Sequence, residues 1–150
     1  MRTDYDILAA QADSLVDGVP HFTANLANIS ALIFDTLEDI NWAGFYIKEE
    51  DRLILGPFQG KPACIEIPVG KGVCGTALAR DEILTVKDVH CFEGHIACDS
   101  ASNSEIVLPI HAHGECVAVL DIDSTSKDRF TREDEEGLSR IVKILEEKVF

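Results

Sequence analysis

Positive charge is scarce in this chain. Thirteen Lys and Arg stand against 27 Asp and Glu, a formal net charge of −14, and such a field opposes phosphate backbones and anionic lipid. Neither nucleic acid nor a membrane surface is therefore expected as a partner. No apolar run is long enough to span a bilayer, and the opening residues MRTDYD do not resemble a secretion signal, so a cytoplasmic protein is expected. The five cysteines are an odd number with no Cys-x-x-Cys pair, which argues against an extracellular disulfide framework. Also lacking are a calcium loop, a paired metal motif and an internal repeat. The glycines of PVGKGVCG fit neither G-x-x-x-x-G-K-S/T nor G-x-G-x-x-G, so they point to close backbone packing rather than to a bound phosphate.

What is present reads as one domain over residues 1–150. Thr3 or Asp4 caps a first helix with Tyr5, Leu8, Ala12 and Leu15 along one side, ended by Gly18 and Pro20. A second helix carries Phe22, Leu26, Ile29, Ile33 and Leu37. From Trp42 the period changes to that of strands: Trp42 to Lys48, Arg52 to Gly56, Ala63 to Ile67, and Ile83 to Val86, with a short helical run ending at Arg80 before the last. Ile106 to Ala112 and Glu115 to Asp123 form a hairpin about His113–Gly114. Thr131 with Asp134 starts a terminal helix striped by Leu138, Ile141, Leu145 and Val149. The order predicts an α+β fold, a central antiparallel sheet with helices packed on one face and the long loop from His90 to Glu105 on the other.

That loop carries the densest chemistry, HCFEGHIACDSASNSE. Cys98 lies outside any apolar strand or helix pattern and is the thiol expected to be reactive. Cys64 has the non-core parity of its strand and can meet Cys98 if that strand runs beneath the loop. Cys74 is expected as a small buried thiol in a glycine-rich turn, and Cys116 follows the core parity of Ala118 and Leu120. Zinc binding by His90, Cys91, His95 and Cys98 is disfavoured because the spacing fits no common pattern. Asp121 and Asp123 share a strand face with Val117 and Val119, and Glu105 falls on the same side of the partner strand. Carboxylates so close require a cation, a proton or water, and an ammonium group meets that need as well as a metal does. Trp42 and Tyr46 share one parity and form an apolar wall or an ordinary core contact.

Taken together, NWAGFY at 41–46, LGPFQGKPAC at 55–64, GVCGTA at 72–77, GHIACDSASNSEIVLP at 94–109 and VLDIDS at 119–124 resemble the free methionine-R-sulfoxide reductases, a family built on a GAF domain. The resemblance implies a GAF-like catalytic domain in which Cys98 is the nucleophile, Cys64 the principal resolving thiol and Cys74 an auxiliary or alternative resolving thiol. It places Glu105, Asp121 and Asp123 in the substrate pocket with Trp42 and Tyr46 as its aromatic wall. It further implies free methionine-R-sulfoxide as substrate, thioredoxin as reductant, a homodimer, and no metal or organic cofactor. The rival expectation is a small-molecule sensing domain with incidental cysteines.

Overall fold

The computed structural model describes residues 2–94 and 101–150. Its helices are α1 (Tyr5–Val16), α2 (Phe22–Thr36), α3 (Gly72–Arg80) and α4 (Arg132–Lys148). Its strands are β1 (Trp42–Glu49), β2 (Arg52–Gly60), β3 (Glu66–Pro68), β4 (Leu84–Val86), β5 (Ser104–Ala112) and β6 (Glu115–Ser124). They form one antiparallel sheet in the order β3-β2-β1-β6-β5-β4, so the predicted α+β architecture is present.

Alternation along the strands separates two cores. Ala43 and Phe45 of β1, Ile106, Leu108 and Ile110 of β5, and Leu120 and Ile122 of β6 meet α1, α2 and α4. The opposite face carries Trp42, Tyr46, Leu53, Val107 and Val119, on which α3 lays Val73, Cys74, Ala77 and Leu78. The larger layer covers one side of the sheet, and the smaller one, under α3, covers the other.

The helix boundaries have identifiable causes. The Asp4 carboxylate accepts from the N–H groups of Asp6 and Ile7 at the start of α1, and Thr131 with Asp134 forms a reciprocal capping box at α4. The α1 stripe runs through Leu8, Ala12 and Val16, leaving Leu15 38% exposed where the sequence placed it inside. In α3, a Cβ on Gly75 would fall 2.4 Å from the carbonyl oxygen of Pro68. Close backbone approach is thus the use of that glycine, as its sequence context suggested.

Two strands differ from expectation. β2 continues to Gly60, because Pro57 lies at a bulge opposite β1 and beyond residues 52–54, which pair with β3. β3 begins only at Glu66. Ala63 and Cys64 precede it, both partly buried against the α3-side core, while Ile65 is 70% exposed rather than sharing a buried face with Ile67.

Candidate functional site

Register places the acidic residues in a grid. Trp42, Gly44 and Tyr46 of β1 stand opposite Asp123, Asp121 and Val119 of β6. Those three stand in turn opposite Glu105, Val107 and Pro109 of β5. Because alternate residues of neighbouring strands share a face, Glu105, Asp121 and Asp123 converge beside Trp42 under α3. Glu105 and Asp121 are 8% and 5% exposed; Asp123 is half-buried at the strand end.

Cys74, in the first turn of α3, closes this group from above. Its thiol lies 3.9 Å from Glu105 Oε2, and donor atoms of Cys74, Glu105 and Asp121 all fall within 4.8 Å of one another. Burial pushes the Glu105 carboxyl well above its usual range, reinforced by the charges of Asp121 and Asp123. Burial raises Asp121 as well. Burial, followed by the charges of Asp121, Glu105 and Asp123, holds the Cys74 thiol protonated. Asp121 Oδ1 is buried without a hydrogen-bond partner among the described residues. A buried acid group whose carboxyls are pushed upward, with an unmatched acceptor, suits a cationic or hydrogen-bonding guest.

Two aromatic side chains give the site a wall and also fix its rim. Trp42 stacks on Tyr46 at 5.9 Å between ring centroids and on Phe58 at 5.1 Å. Trp42 Nε1 donates to the Lys61 carbonyl at 3.1 Å, and the Tyr46 hydroxyl donates to the Cys64 carbonyl at 2.8 Å. These two bonds hold the segment bearing Cys64 along the edge of the site, a function that strand parity alone did not reveal. Cys64 is disulfide-bonded, and Cys74, Cys91 and Cys116 are free thiols.

Cys98, the thiol on which the sequence reading centred, lies outside the described residues, as does His95. Both flanks of residues 95–100 are anchored around the acidic face. The Gly72 N–H at the start of α3 donates to the Gly94 carbonyl at 3.1 Å. On the other side, Asn41 Nδ2 donates to Ser102 Oγ at 3.1 Å. Asn103 bonds through its backbone to Val89 and Ser124, and its Nδ2 donates to the Thr125 carbonyl at 2.6 Å. These anchors were missed from sequence, although the SASNS run of small polar residues was their signal.

The remaining sequence candidates separate. His90 Nε2 faces Asn103 Oδ1 at 3.1 Å, and the Cys91 thiol points to Asp88 at 3.7 Å. Cys116 does not follow Ala118 into the helix-side core: it packs partly buried against the α3-side core. The cause is a register shift, since Ile110 pairs with Ala118 but His111 with Cys116, leaving Val117 as an extra residue that reverses the parity.

Known proteins resemble the chain over most of its length. The GAF domain family matches residues 13–147. The chain is 58% identical over 142 residues to a protein of Escherichia coli (strain K12) named free methionine-R-sulfoxide reductase, covering 95% of this chain and 86% of that protein. The chain belongs to the free methionine-R-sulfoxide reductase family. The structure of fRMsr of Staphylococcus aureus in its reduced form superposes with a TM-score of 0.96 at 52% identity, covering 99% of this chain and 97% of that one. The free methionine-R-sulfoxide reductase of Neisseria meningitidis, in complex with its substrate, superposes with a TM-score of 0.94 at 39% identity, covering 99% and 92%.

Proposed function

We propose that the chain is an oxidoreductase that reduces free L-methionine-R-sulfoxide to L-methionine, with Cys98 as nucleophile and Cys64 as resolving thiol. The observation that carries this reading is the buried group of Glu105, Asp121 and Cys74 beside Trp42, flanked by the anchored ends of residues 95–100 and by the disulfide-bonded Cys64.

The Cys98 thiolate attacks the sulfoxide sulfur while the protonated Glu105 carboxyl donates to the sulfoxide oxygen, making sulfur the better electrophile. The attack joins the two sulfurs. The protonated oxygen then passes from the methionine sulfur to the Cys98 sulfur as the S–O and S–S bonds to the methionine sulfur break, so methionine departs with the electron pair on its sulfur and Cys98 becomes a sulfenic acid. The Cys64 thiol then attacks that sulfur. Water leaves, and a Cys64–Cys98 disulfide forms. Thioredoxin supplies the dithiol that returns both residues to thiols. Cys74, buried and held protonated, is an auxiliary thiol rather than the main resolving one.

Asp121 and Asp123 receive the free ammonium of the amino acid, a group that a methionine within a polypeptide does not have. Trp42, backed by Tyr46, takes the methyl end. The chemistry calls for no resident metal or organic cofactor. The same reading makes residues 1–150 a single catalytic domain, cytoplasmic and homodimeric. No helix among the described residues is long and apolar enough to cross a membrane.

The deciding experiment gives the reduced protein free L-methionine-R-sulfoxide, the S epimer and a peptide-bound sulfoxide, each with a thioredoxin system. Turnover of the free R epimer alone is expected. Absence of turnover on all three would leave a sensing domain as the better account.

A further inference from the structure

A second group of ligand-type side chains lies at the other end of β5 and β6. Asp81 follows α3, His111 lies near the end of β5, Cys116 near the start of β6, and one donor atom from each falls within 4.8 Å of the others. From Glu105 to His111 the strand runs roughly 20 Å at about 3.3 Å per residue, so this cluster is separate from the acidic site. The bulge at Val117 is what brings Cys116 to the side occupied by α3. Asp81 is held as the left-handed cap of α3, its N–H bonded to the carbonyls of Ala77 and Leu78.

Ion pairing accounts for part of the cluster. His111 Nε2 lies 2.5 Å from Asp81 Oδ1, and Nδ1 lies 2.9 Å from Glu146 Oε2. Glu146 also accepts the backbone N–H of His111 at 2.6 Å. That double contact fixes the ring and keeps a proton on Nδ1, leaving Nε2 as the nitrogen able to ligate. A carboxylate behind the imidazole is the usual outer partner of a metal-bound histidine. The thiol has no place in a histidine–carboxylate salt bridge. Cys116 is free, half-buried, and makes a long contact of 3.6 Å to the Ala118 carbonyl.

We propose that Asp81, His111 and Cys116 bind a divalent transition-metal ion of the zinc class through Oδ1, Nε2 and Sγ. One oxygen, one imidazole nitrogen and one sulfur suit zinc or cobalt, whereas calcium and magnesium take oxygen ligands. Water completes the tetrahedron. The ion replaces the proton on Nε2 and the proton on Sγ, releasing both, and Asp81 turns its exposed carboxylate from the ring to the metal. No oxidation is involved. The bound ion ties α3 to the β5–β6 hairpin and, through Glu146, to α4. The net charge of −14 draws a dication toward the surface.

Cobalt(II) is the probe for a thiolate site. Titrated into reduced protein, it is expected to bind one equivalent, give a thiolate-to-cobalt charge-transfer band with tetrahedral visible bands, and be displaced by zinc. Cys116→Ser should lose the charge-transfer band. His111→Gln and Asp81→Asn should each weaken binding roughly tenfold or more, with circular dichroism confirming that the variants are folded. Zinc should raise the Tm of the parent protein and leave that of Cys116→Ser unchanged, and sulfoxide reduction by Cys116→Ser should equal that of the parent. A charge-transfer band that survives in Cys116→Ser would move the ion to other thiols and overturn the assignment. Failure of micromolar cobalt to bind stoichiometrically would leave the cluster as a salt bridge with a neighbouring thiol.

Discussion

Glu105 and Asp123 stand directly opposite one another on neighbouring antiparallel strands. Like charges at opposed positions destabilise a sheet, and here burial pushes Glu105 and Asp121 upward as well. An acid whose folded pKa is raised binds more protons folded than unfolded. Its stabilising contribution is complete below the unfolded value, near 4 for these side chains, and is lost as pH rises through the folded value. The empty enzyme should therefore lose stability from these groups as pH climbs above about 4. Glu105→Gln should remove that loss, gaining about 0.5–2 kcal/mol at neutral pH and little near pH 4, while sulfoxide reduction falls. Thermal unfolding across pH reads the effect. Equal pH slopes for parent and variant would show that Glu105 ionises freely in the fold.

Thiol reactivity distinguishes the cysteines. Cys74 is 4% exposed, and its thiol is kept protonated by burial and by the neighbouring acids, whereas Cys91 is exposed. In native reduced protein a thiol reagent should label Cys91 far faster than Cys74. Cys98→Ser should abolish even a single turnover. Cys64→Ser should permit one turnover but slow thioredoxin-supported cycling more than about tenfold, with Cys74→Ser changing cycling much less. Mass-spectrometric mapping after one turnover checks the pairing: a Cys74–Cys98 product in the parent protein would reverse the assignment of Cys64.

Gly44 is needed where the aromatic wall meets the acids. It pairs with Asp121, and an added Cβ would lie 2.2 Å from Phe58 Cβ, 2.8 Å from Phe58 Cα and 2.9 Å from the Pro57 carbonyl. Two of those atoms are backbone, so relief requires β1 and β2 to separate, which disturbs the Trp42–Phe58 stack. Gly44→Ala should lose about 1–3 kcal/mol of stability and raise KM for the free sulfoxide. Denaturant unfolding and steady-state kinetics measure the two effects. An unchanged KM would show that the Trp42 position does not govern substrate binding.

Residue patterns disclosed the acidic site because Glu105, Asp121 and Asp123 interrupt strands whose other positions alternate regularly, and alternation fixes a face. Thr131 and Asp134 were equally legible, since a capping box is local. The misplacements occurred where pairing overrode local pattern. The bulge reversed Cys116, and by local pattern the strand from Arg52 ends at Gly56, before Pro57, although β1 pairs with that segment as far as Gly60. The carbonyl anchors from Trp42 to Lys61 and from Tyr46 to Cys64 join residues distant in the chain. No periodicity announces such a bond.

Gly137 offers a test of packing far from the reacting groups. It lies within α4, where Ala would ordinarily gain about 1 kcal/mol of helix propensity over Gly. A Cβ there would fall 2.1 Å from Tyr5 Cγ and 2.3 Å from Cδ1, at the root of the ring, so the whole ring has to shift. The Tyr5 hydroxyl is also tied to Asp134 Oδ1 at 2.6 Å, so displacing the ring strains a bond to the residue that completes the α4 cap. Overpacking costs about 1–3 kcal/mol, which exceeds the propensity gain. Gly137→Ala should therefore destabilise, and Tyr5→Ala in the same chain should make the Gly137→Ala change less costly than it is alone. Denaturant unfolding of the double-mutant cycle measures the coupling; a stabilised Gly137→Ala single variant would show that α1 can draw away from α4 without loss.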